Sequence, residues 1–217
     1  MTKTMPRQAK PLTEDVLVAI AATAMRPRIG RGGRLESMEY ARGRGILDIA
    51  LCYTMTDAGL RRSEAAALLW GDLEIQGDGS GWVTVRQGKW QKEPRKVYVS
   101  SASIQWLSLL TALRPDVTPK DPIFDLCPSQ ISERIAAACR AAGFGDGYSG
   151  HSPRVGMAVR LDRAGAPTHT IMAQGRWKSG SGVSVYTRNE GFIGPGEWLE
   201  HEKSIPNDPR ECYFSRI

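Results

Sequence analysis

The spacing of apolar residues along the chain is mostly that of amphipathic helices. Apolar positions recur every three to four residues, which is the period of one helix face. Pro27 with its neighbouring glycines, and later Gly59, are placed to end the first two helices. Helices are predicted over 14–25, 37–58, 62–70, 101–113, 129–143, 153–165, 168–175 and 182–188, with a further one over 194–203.

A different period marks one short region. Residues 82–87 (WVTVRQ) alternate between apolar and polar, as a half-buried strand does, and residues 95–100 (RKVYVS) do the same. The polar segment KWQKEP turns the chain between them, which predicts an antiparallel hairpin. The predicted fold class is therefore mainly α with a small antiparallel β-sheet (α+β).

Composition places the chain among ordinary folded proteins. Its 217 residues are 41% hydrophobic and 24% charged, which suits one domain with at most a short appendage. The longest apolar runs are far shorter than a membrane span, and no signal-peptide core opens the chain. We therefore expect a cytoplasmic protein with no membrane partner. Residues 1–10 are interpreted as a linker or flexible arm, 11–203 as the domain and 204–217 as a polar tail.

The numbers of cysteines and histidines, together with the net charge, exclude some classes of function and favour others. Four scattered cysteines without a CxxC pair, and only three histidines, exclude a disulfide scaffold and a zinc ribbon. No metal and no cofactor are expected. A net charge of +6 favours a polyanionic partner such as nucleic acid. An arginine-rich segment at 26–34 is typical either of a solvated loop or of a loop that contacts phosphates. Its arginines are Arg26, Arg28, Arg31 and Arg34.

Four short segments carry candidate chemistry: GLRRSE (59–64), RQGKWQK (86–92), HSPR (151–154), and QGRW with VSVYTR (174–188). In chain order they supply Arg61, Lys89, His151, Arg154, Trp177 and Tyr186. Together they resemble the catalytic domain of the tyrosine recombinases, the phage integrase family, over residues 10–200. Trp177 stands where many relatives have a second histidine, and in this respect the chain resembles the Cre-like branch. The resemblance implies the DNA breaking-rejoining fold of that family.

The chemistry of these residue types suits attack on a phosphodiester. The guanidiniums of Arg61 and Arg154 are forks of donors that match non-bridging phosphate oxygens. His151 lies one helical turn from Arg154, so both can reach one ligand from the same helix end. Trp177 can donate only through its indole N–H, which suits a supporting contact and not proton transfer.

The resemblance also implies a role for each residue. Tyr186 is the nucleophile and forms a 3′-phosphotyrosyl bond; because a free phenol has a pKa of about 10, it needs His151 as its base. Lys89 is the general acid for the 5′-hydroxyl leaving group, and Lys92 is the alternative. Glu64 orients an arginine or His151 through hydrogen bonds. The family works without metal or nucleotide, and full members act as homo-oligomers, probable tetramers, on double-stranded DNA.

Three functions remain open at this point. The first is a site-specific DNA recombinase (integrase) catalytic domain, acting in DNA integration or recombination and, in a bacterium, associated with the nucleoid. A type IB topoisomerase uses the same residues to relax DNA. A catalytically idle DNA-binding relative of a mobile element is the third, because residues 1–10 are too short for the family's N-terminal clamp domain, which we expect to be absent. The Cre-like pattern of HSPRVG followed by GRW favours the recombinase over the topoisomerase, and the complete set of catalytic residue types argues against the binding-only relative.

Overall fold

The structure is a computed structural model that describes residues 9–30, 32–86 and 93–187. Within those ranges the chain forms eight α-helices, one 3₁₀ turn and three strands. The helices are α1 (Glu14–Thr23), α2 (Met38–Asp57), α3 (Arg62–Ala66), α4 (Ser101–Ala112), α5 (Pro128–Ala141), α6 (Ser152–Arg163), α7 (Thr168–Gly175) and α8 (Ser181–Thr187). The strands are β1 (Leu73–Ile75), β2 (Gly81–Val85) and β3 (Arg95–Val99), and the 3₁₀ turn Trp70–Asp72 precedes β1.

The predicted fold class, mainly helical with a small antiparallel sheet, is confirmed. The helix predicted over 194–203 and the tail 204–217 lie outside the described residues, as does most of the arm 1–10. Lys10 is described, and its backbone N–H donates to the carbonyl of Gly147 at 3.0 Å. None of the described helices is long and apolar enough to cross a membrane.

Helix α2 is the centre of the core. Twelve of its 20 residues are buried, eleven of them on all sides of the stretch 45–56, whereas its first turn is exposed, and the helix packs against α1, α4, α5 and α6. A helix that is buried all round belongs inside a domain and not on its surface. Every site residue described below is therefore held, directly or through one neighbour, by a rigid central element.

The turn after α2 positions the first two candidate site residues, Arg61 and Glu64. Gly59 has a positive φ of 55°, and the Leu60 N–H returns to the carbonyl of Met55 at 3.0 Å, which is a glycine-dependent helix end. Helix α3 then begins after Arg61, whose backbone N–H donates to the carboxylate of Glu64 at 2.8 Å. The sequence suggests Ser63 as the N-cap of this helix; that is wrong, because the acid reaches back to the chain one turn earlier.

The hairpin is the middle and edge of a three-stranded antiparallel sheet in the order β1-β2-β3. In its register Val83 lies opposite Val97 on the buried face, and Trp82 opposite Tyr98 on the other face. Strand β1 was not predicted, since three residues are too few to show a period of two. The tip of the hairpin, 87–92, lies outside the described residues.

Candidate active site

The start of α6 places His151 and Arg154 one turn apart. Arg154 is the largest fully buried side chain of the described residues, at 1% exposure, and its Nη1 donates to the carbonyl of Gly59 at 2.7 Å. Its guanidinium carbon lies 4.2 Å from the centroid of the Trp177 ring, as a stacked cation does. The end of α2 and the indole therefore fix this guanidinium from two sides.

The second terminal nitrogen of Arg154, Nη2, is buried and has no hydrogen-bond partner among the described residues. Burial, followed by the positive charges of Arg61 and Arg176, lowers the pKa of Arg154 to about 9. The group is still a cation at neutral pH. A buried cation with an unsatisfied donor is an environment that an anionic oxygen would stabilise.

Tyr186 on α8 meets His151 across the site. Its Oη lies 2.8 Å from Nε2 of His151, within hydrogen-bond distance, and the Tyr186 ring centroid is 5.9 Å from that of Trp177. Burial lowers the pKa of His151, and the charges of Arg154 and Arg61 lower it further. The imidazole is thus predominantly neutral at pH 7, the state in which a histidine can take a proton from a phenol.

Arg61 and Glu64 form an ion pair at the start of α3. Arg61 Nη1 donates to Glu64 Oε1 at 2.7 Å; the Arg61 side chain is 43% exposed, whereas Glu64 is 1% exposed. Burial by itself raises the pKa of Glu64, but the charge of Arg176 and the hydrogen bonds from Arg61 outweigh it and hold the pKa below its usual value. The carboxylate is therefore ionised, and it leaves one face of Arg61 accessible.

A third arginine, Arg176, lies in this cluster and was not identified from the sequence. Its Nη2 donates to Glu64 Oε2 at 2.6 Å, and its side chain is 1% exposed. The residue caps α7 in the left-handed region, with φ 56° and ψ 43°, a conformation that costs a non-glycine residue about 1–2 kcal/mol. In the segment QGRW the sequence analysis identified the tryptophan alone; the signal for Arg176 is a charged residue directly between Gly175 and Trp177.

Gly175 makes room for the indole. A Cβ on Gly175 would lie 1.9 Å from Cζ3 and 2.1 Å from Cε3 of Trp177, so no side chain can stand there without moving the ring. The absence of a Cβ thus permits the stacking of Trp177 on Arg154.

Gly175→Ala is expected to displace Trp177 and to destabilise the domain by about 1–3 kcal/mol, the usual cost of overpacking. Urea unfolding followed by tryptophan fluorescence measures the loss of stability. Gly180→Ala is the matched control, since its nearest neighbour would be 4.0 Å from the new Cβ. Equal stabilities of the two variants would contradict the close packing.

The predicted hairpin lysines, Lys89 and Lys92, lie outside the described residues. The base of their hairpin is described, and it borders the site. A cavity of about 650 Å³ is lined by Glu64 and Leu68 on one side and by Val85, Arg86 and Pro94 of the hairpin on the other. Arg86 also pairs with buried Asp72. The hairpin therefore begins and ends next to α3.

The arginines of segment 26–34 lie in different environments. Arg28 Nη1 lies 3.9 Å from Asp48, and its backbone N–H donates to Glu36 at 2.9 Å, so Arg28 takes part in a buried network. Arg26 and Arg34 are exposed, while Arg31 lies outside the described residues. Across the described ranges, no three His, Cys, Asp or Glu side chains are grouped as a metal site would require.

A family model matches the sequence, and solved recombinase structures share the fold. The model of the family described as "Phage integrase family" matches residues 12–191. XerA recombinase superposes with a TM-score of 0.65 at 18% identity, over 96% of this chain and 68% of that chain. XerH site-specific recombinase, in a post-cleavage complex with its palindromic difH substrate, gives 0.66 at 17%, over 91% and 53%. A lambda integrase tetramer bound to a Holliday junction gives 0.54 at 16%, over 82% and 49%.

The chain thus spans about half to two thirds of the length of these three proteins. At such low identity the structural likeness establishes the fold, and the matched family establishes the lineage. No curated protein sequence matches the chain.

Proposed function

The chain belongs to the phage integrase family, and from that premise we propose that it is a catalytic domain that cleaves and rejoins DNA strands through a 3′-phosphotyrosyl intermediate on Tyr186. The observation that carries the proposal is the 2.8 Å contact of the Tyr186 hydroxyl with His151. That pair lies beside Arg154, a buried cation whose Nη2 has no partner among the described residues. A nucleophile, its base and a phosphate-binding group are thus side by side.

The proposed cleavage step conserves atoms and charge. Tyr186 Oη gives its proton to His151 Nε2 and attacks the scissile phosphorus, forming a phosphorus–oxygen bond to the phenol. The bond from phosphorus to the deoxyribose 5′-oxygen breaks, and the departing oxygen takes a proton from Lys89, or from Lys92, on the hairpin. Attack of a 5′-hydroxyl on the phosphotyrosine reverses the step and rejoins the strand.

Arg61 and Arg154 would stabilise the negative charge that develops on the non-bridging oxygens. Arg61 offers an exposed guanidinium and Arg154 a buried one, so they approach the phosphate from different depths. Trp177 would keep Arg154 in place by stacking, and Glu64 would orient Arg61 by accepting its hydrogen bond. The Cre-like assignment of the Trp177 position remains a prediction.

Double-stranded DNA and a second copy of the chain are the proposed partners. XerH is bound to its DNA substrate, and lambda integrase forms a tetramer on a Holliday junction. By analogy, we propose that this chain assembles as a homotetramer on duplex DNA, at the nucleoid if its host is a bacterium. Contacts from Arg26, Arg31 and Arg34 would supply further affinity through phosphate neutralisation.

A covalent trapping assay tests the proposal. The protein is incubated in EDTA with nicked duplex DNA drawn from sequence flanking its own gene, and the products are separated on a denaturing gel. We expect a slow, protease-sensitive DNA band. Trypsin should leave the adduct on peptide 179–188, which contains one tyrosine. An alkali-stable adduct on this peptide indicates a phosphotyrosine, whereas a serine ester would be eliminated in alkali.

The same assay separates the rival functions. A folded protein that binds the DNA and forms no adduct would indicate a binding-only relative. Relaxation of a supercoiled plasmid, with no exchange between two duplexes, would indicate a type IB topoisomerase. Exchange of strands between two labelled duplexes supports the recombinase.

Cleavage is expected to persist to lower pH than an ordinary histidine base would allow. Because burial and the two arginines lower the pKa of His151, the base stays neutral until the pH falls below 6.5, the usual pKa of a histidine. The acid limb of the single-turnover cleavage rate, measured from about pH 5 to 8, should therefore have its midpoint below that value. His151→Gln should remove this limb. A midpoint above 6.5 would show that His151 is not the base or is not buried as described.

A further inference from the structure

We infer that Arg176 is a positioning residue that holds Arg61 and Arg154 in the arrangement that binds the scissile phosphate; the inference rests on the proposed function. Arg176 follows α7 directly and is almost fully buried, with 1% of its side chain exposed. Both of its terminal nitrogens, Nη1 and Nη2, donate to acceptors of the protein, so that, unlike Arg154 Nη2, neither is left for a phosphate. Its effect on the reaction must pass through its neighbours.

The guanidinium of Arg176 makes four hydrogen bonds, all to elements that carry the site. Nη2 donates to Glu64 Oε2 at 2.6 Å and to the carbonyl of Gly59 at 3.0 Å. Nη1 donates to the carbonyl of Ala58 at 2.9 Å and to that of Gln174 at 3.0 Å. One planar group thus connects the end of α2, the start of α3 and the end of α7.

Two of these acceptors are shared with the proposed phosphate-binding arginines. The carbonyl of Gly59 also accepts from Arg154 Nη1 at 2.7 Å, and the carboxylate of Glu64 also accepts from Arg61 Nη1 at 2.7 Å. Each of the two arginines is therefore linked to Arg176 through one common acceptor. Without Arg176, Glu64 would be a buried carboxylate paired with Arg61 alone, and the Gly59 carbonyl would keep Arg154 but lose the second of its two donors.

The backbone at Arg176 supports a role beyond packing. A left-handed conformation is easiest for glycine, and a charged residue keeps it only where the surroundings fix the side chain. Here four acceptors do so. Lysine cannot replace this group, because one ammonium on a flexible stem does not span acceptors on three elements in a plane.

The experiment compares Arg176→Gly, Arg176→Lys and wild type. Glycine tolerates the left-handed backbone, so that variant removes the guanidinium without adding strain. Lys178→Ala, an exposed position two residues on, is the control that should leave cleavage unchanged. Three quantities are measured: the single-turnover cleavage rate of nicked DNA at saturating protein, the Kd for the same DNA, and the midpoint of thermal unfolding.

We expect both Arg176 variants to cleave about 10- to 100-fold more slowly, a loss typical of removing the partner that orients a reacting group. The Kd should change less than about threefold, because the surface phosphate contacts remain. Millimolar guanidinium chloride should restore part of the rate in Arg176→Gly, by occupying the vacated position, and should not accelerate Arg176→Lys or wild type.

Cleavage by either variant at the wild-type rate would overturn the inference. Loss of the folded state in both variants would overturn it as well, because Arg176 would then serve folding and not positioning. If wild type itself forms no adduct, the proposed function fails and this inference fails with it. Wild-type cleavage with unaffected variants refutes the inference alone.

Discussion

Tyr186→Phe is expected to bind duplex DNA as tightly as the parent protein and to form no covalent adduct. Phenylalanine keeps the ring that packs 5.9 Å from the Trp177 ring, so α8 should stay in place. The substitution removes Oη, which lies 2.8 Å from His151 Nε2 and is the proposed nucleophile. Cleavage should fall by at least about 1,000-fold, since no other atom can make the bond to phosphorus.

The measurement is the denaturing-gel assay beside a gel-shift titration of the same DNA. Tyr148→Phe is the matched control, because Tyr148 is a half-buried tyrosine that packs against Phe144 and Lys10 and lies outside the site. It should cleave at the parent rate. An adduct in Tyr186→Phe that is as abundant as in the parent would remove Tyr186 from the mechanism.

The largest loss of stability is expected for Asp48→Ala. Asp48 lies in α2 with 2% exposure and is surrounded by three arginines: Arg134 at 2.8 Å, Arg44 at 3.4 Å and Arg28 at 3.9 Å. Burial raises the pKa of Asp48 against the pull of these charges. Its removal leaves the three arginines close together without the buried carboxylate that they share, and Glu36 remains as a partner of Arg44. We expect the free energy of unfolding to fall by about 3–5 kcal/mol.

Urea unfolding monitored by circular dichroism gives this value. The control is Glu74→Ala, which breaks the exposed pair of Glu74 with Lys96 and should cost less than about 1 kcal/mol. A similarly small loss for Asp48→Ala would mean that the arginines rearrange into solvent without cost. The prediction also bears on function, because Arg28 and Glu36 tie the arginine-rich segment to the same network.

Much of the fold follows from local sequence. The helix predicted over 168–175 coincides with α7, and the strands of the hairpin and the start of α6 lie within a residue or two of their predicted bounds. Period, breakers and turn residues act over a few positions, so the chain itself displays them. Strand β1 and the N-cap of α3 were missed, because a short strand has no period and the cap is made by Glu64 rather than by a serine.

The candidate residues of the site could likewise be predicted from the sequence, since His151, Arg154, Trp177 and Tyr186 each stand in a short characteristic segment. The contacts between them could not be predicted. The residue types show which chemistry is available, but only the fold shows whether the groups lie close together. The fold brings Tyr186 next to His151, although the two are 35 positions apart in the chain.

The sequence by itself therefore predicted most of the helices and the hairpin, the family and the candidate reacting groups, because each of these shows in short segments of the chain. The tertiary structure alone decided which charges are buried and which acceptors they share. Arg176 and Glu64 are 112 residues apart and form one ion pair, and Arg28 turned from a candidate surface residue into a neighbour of Asp48. Burial and charge pairing depend on elements that are distant in sequence and close in space, so no pattern along the chain reveals them.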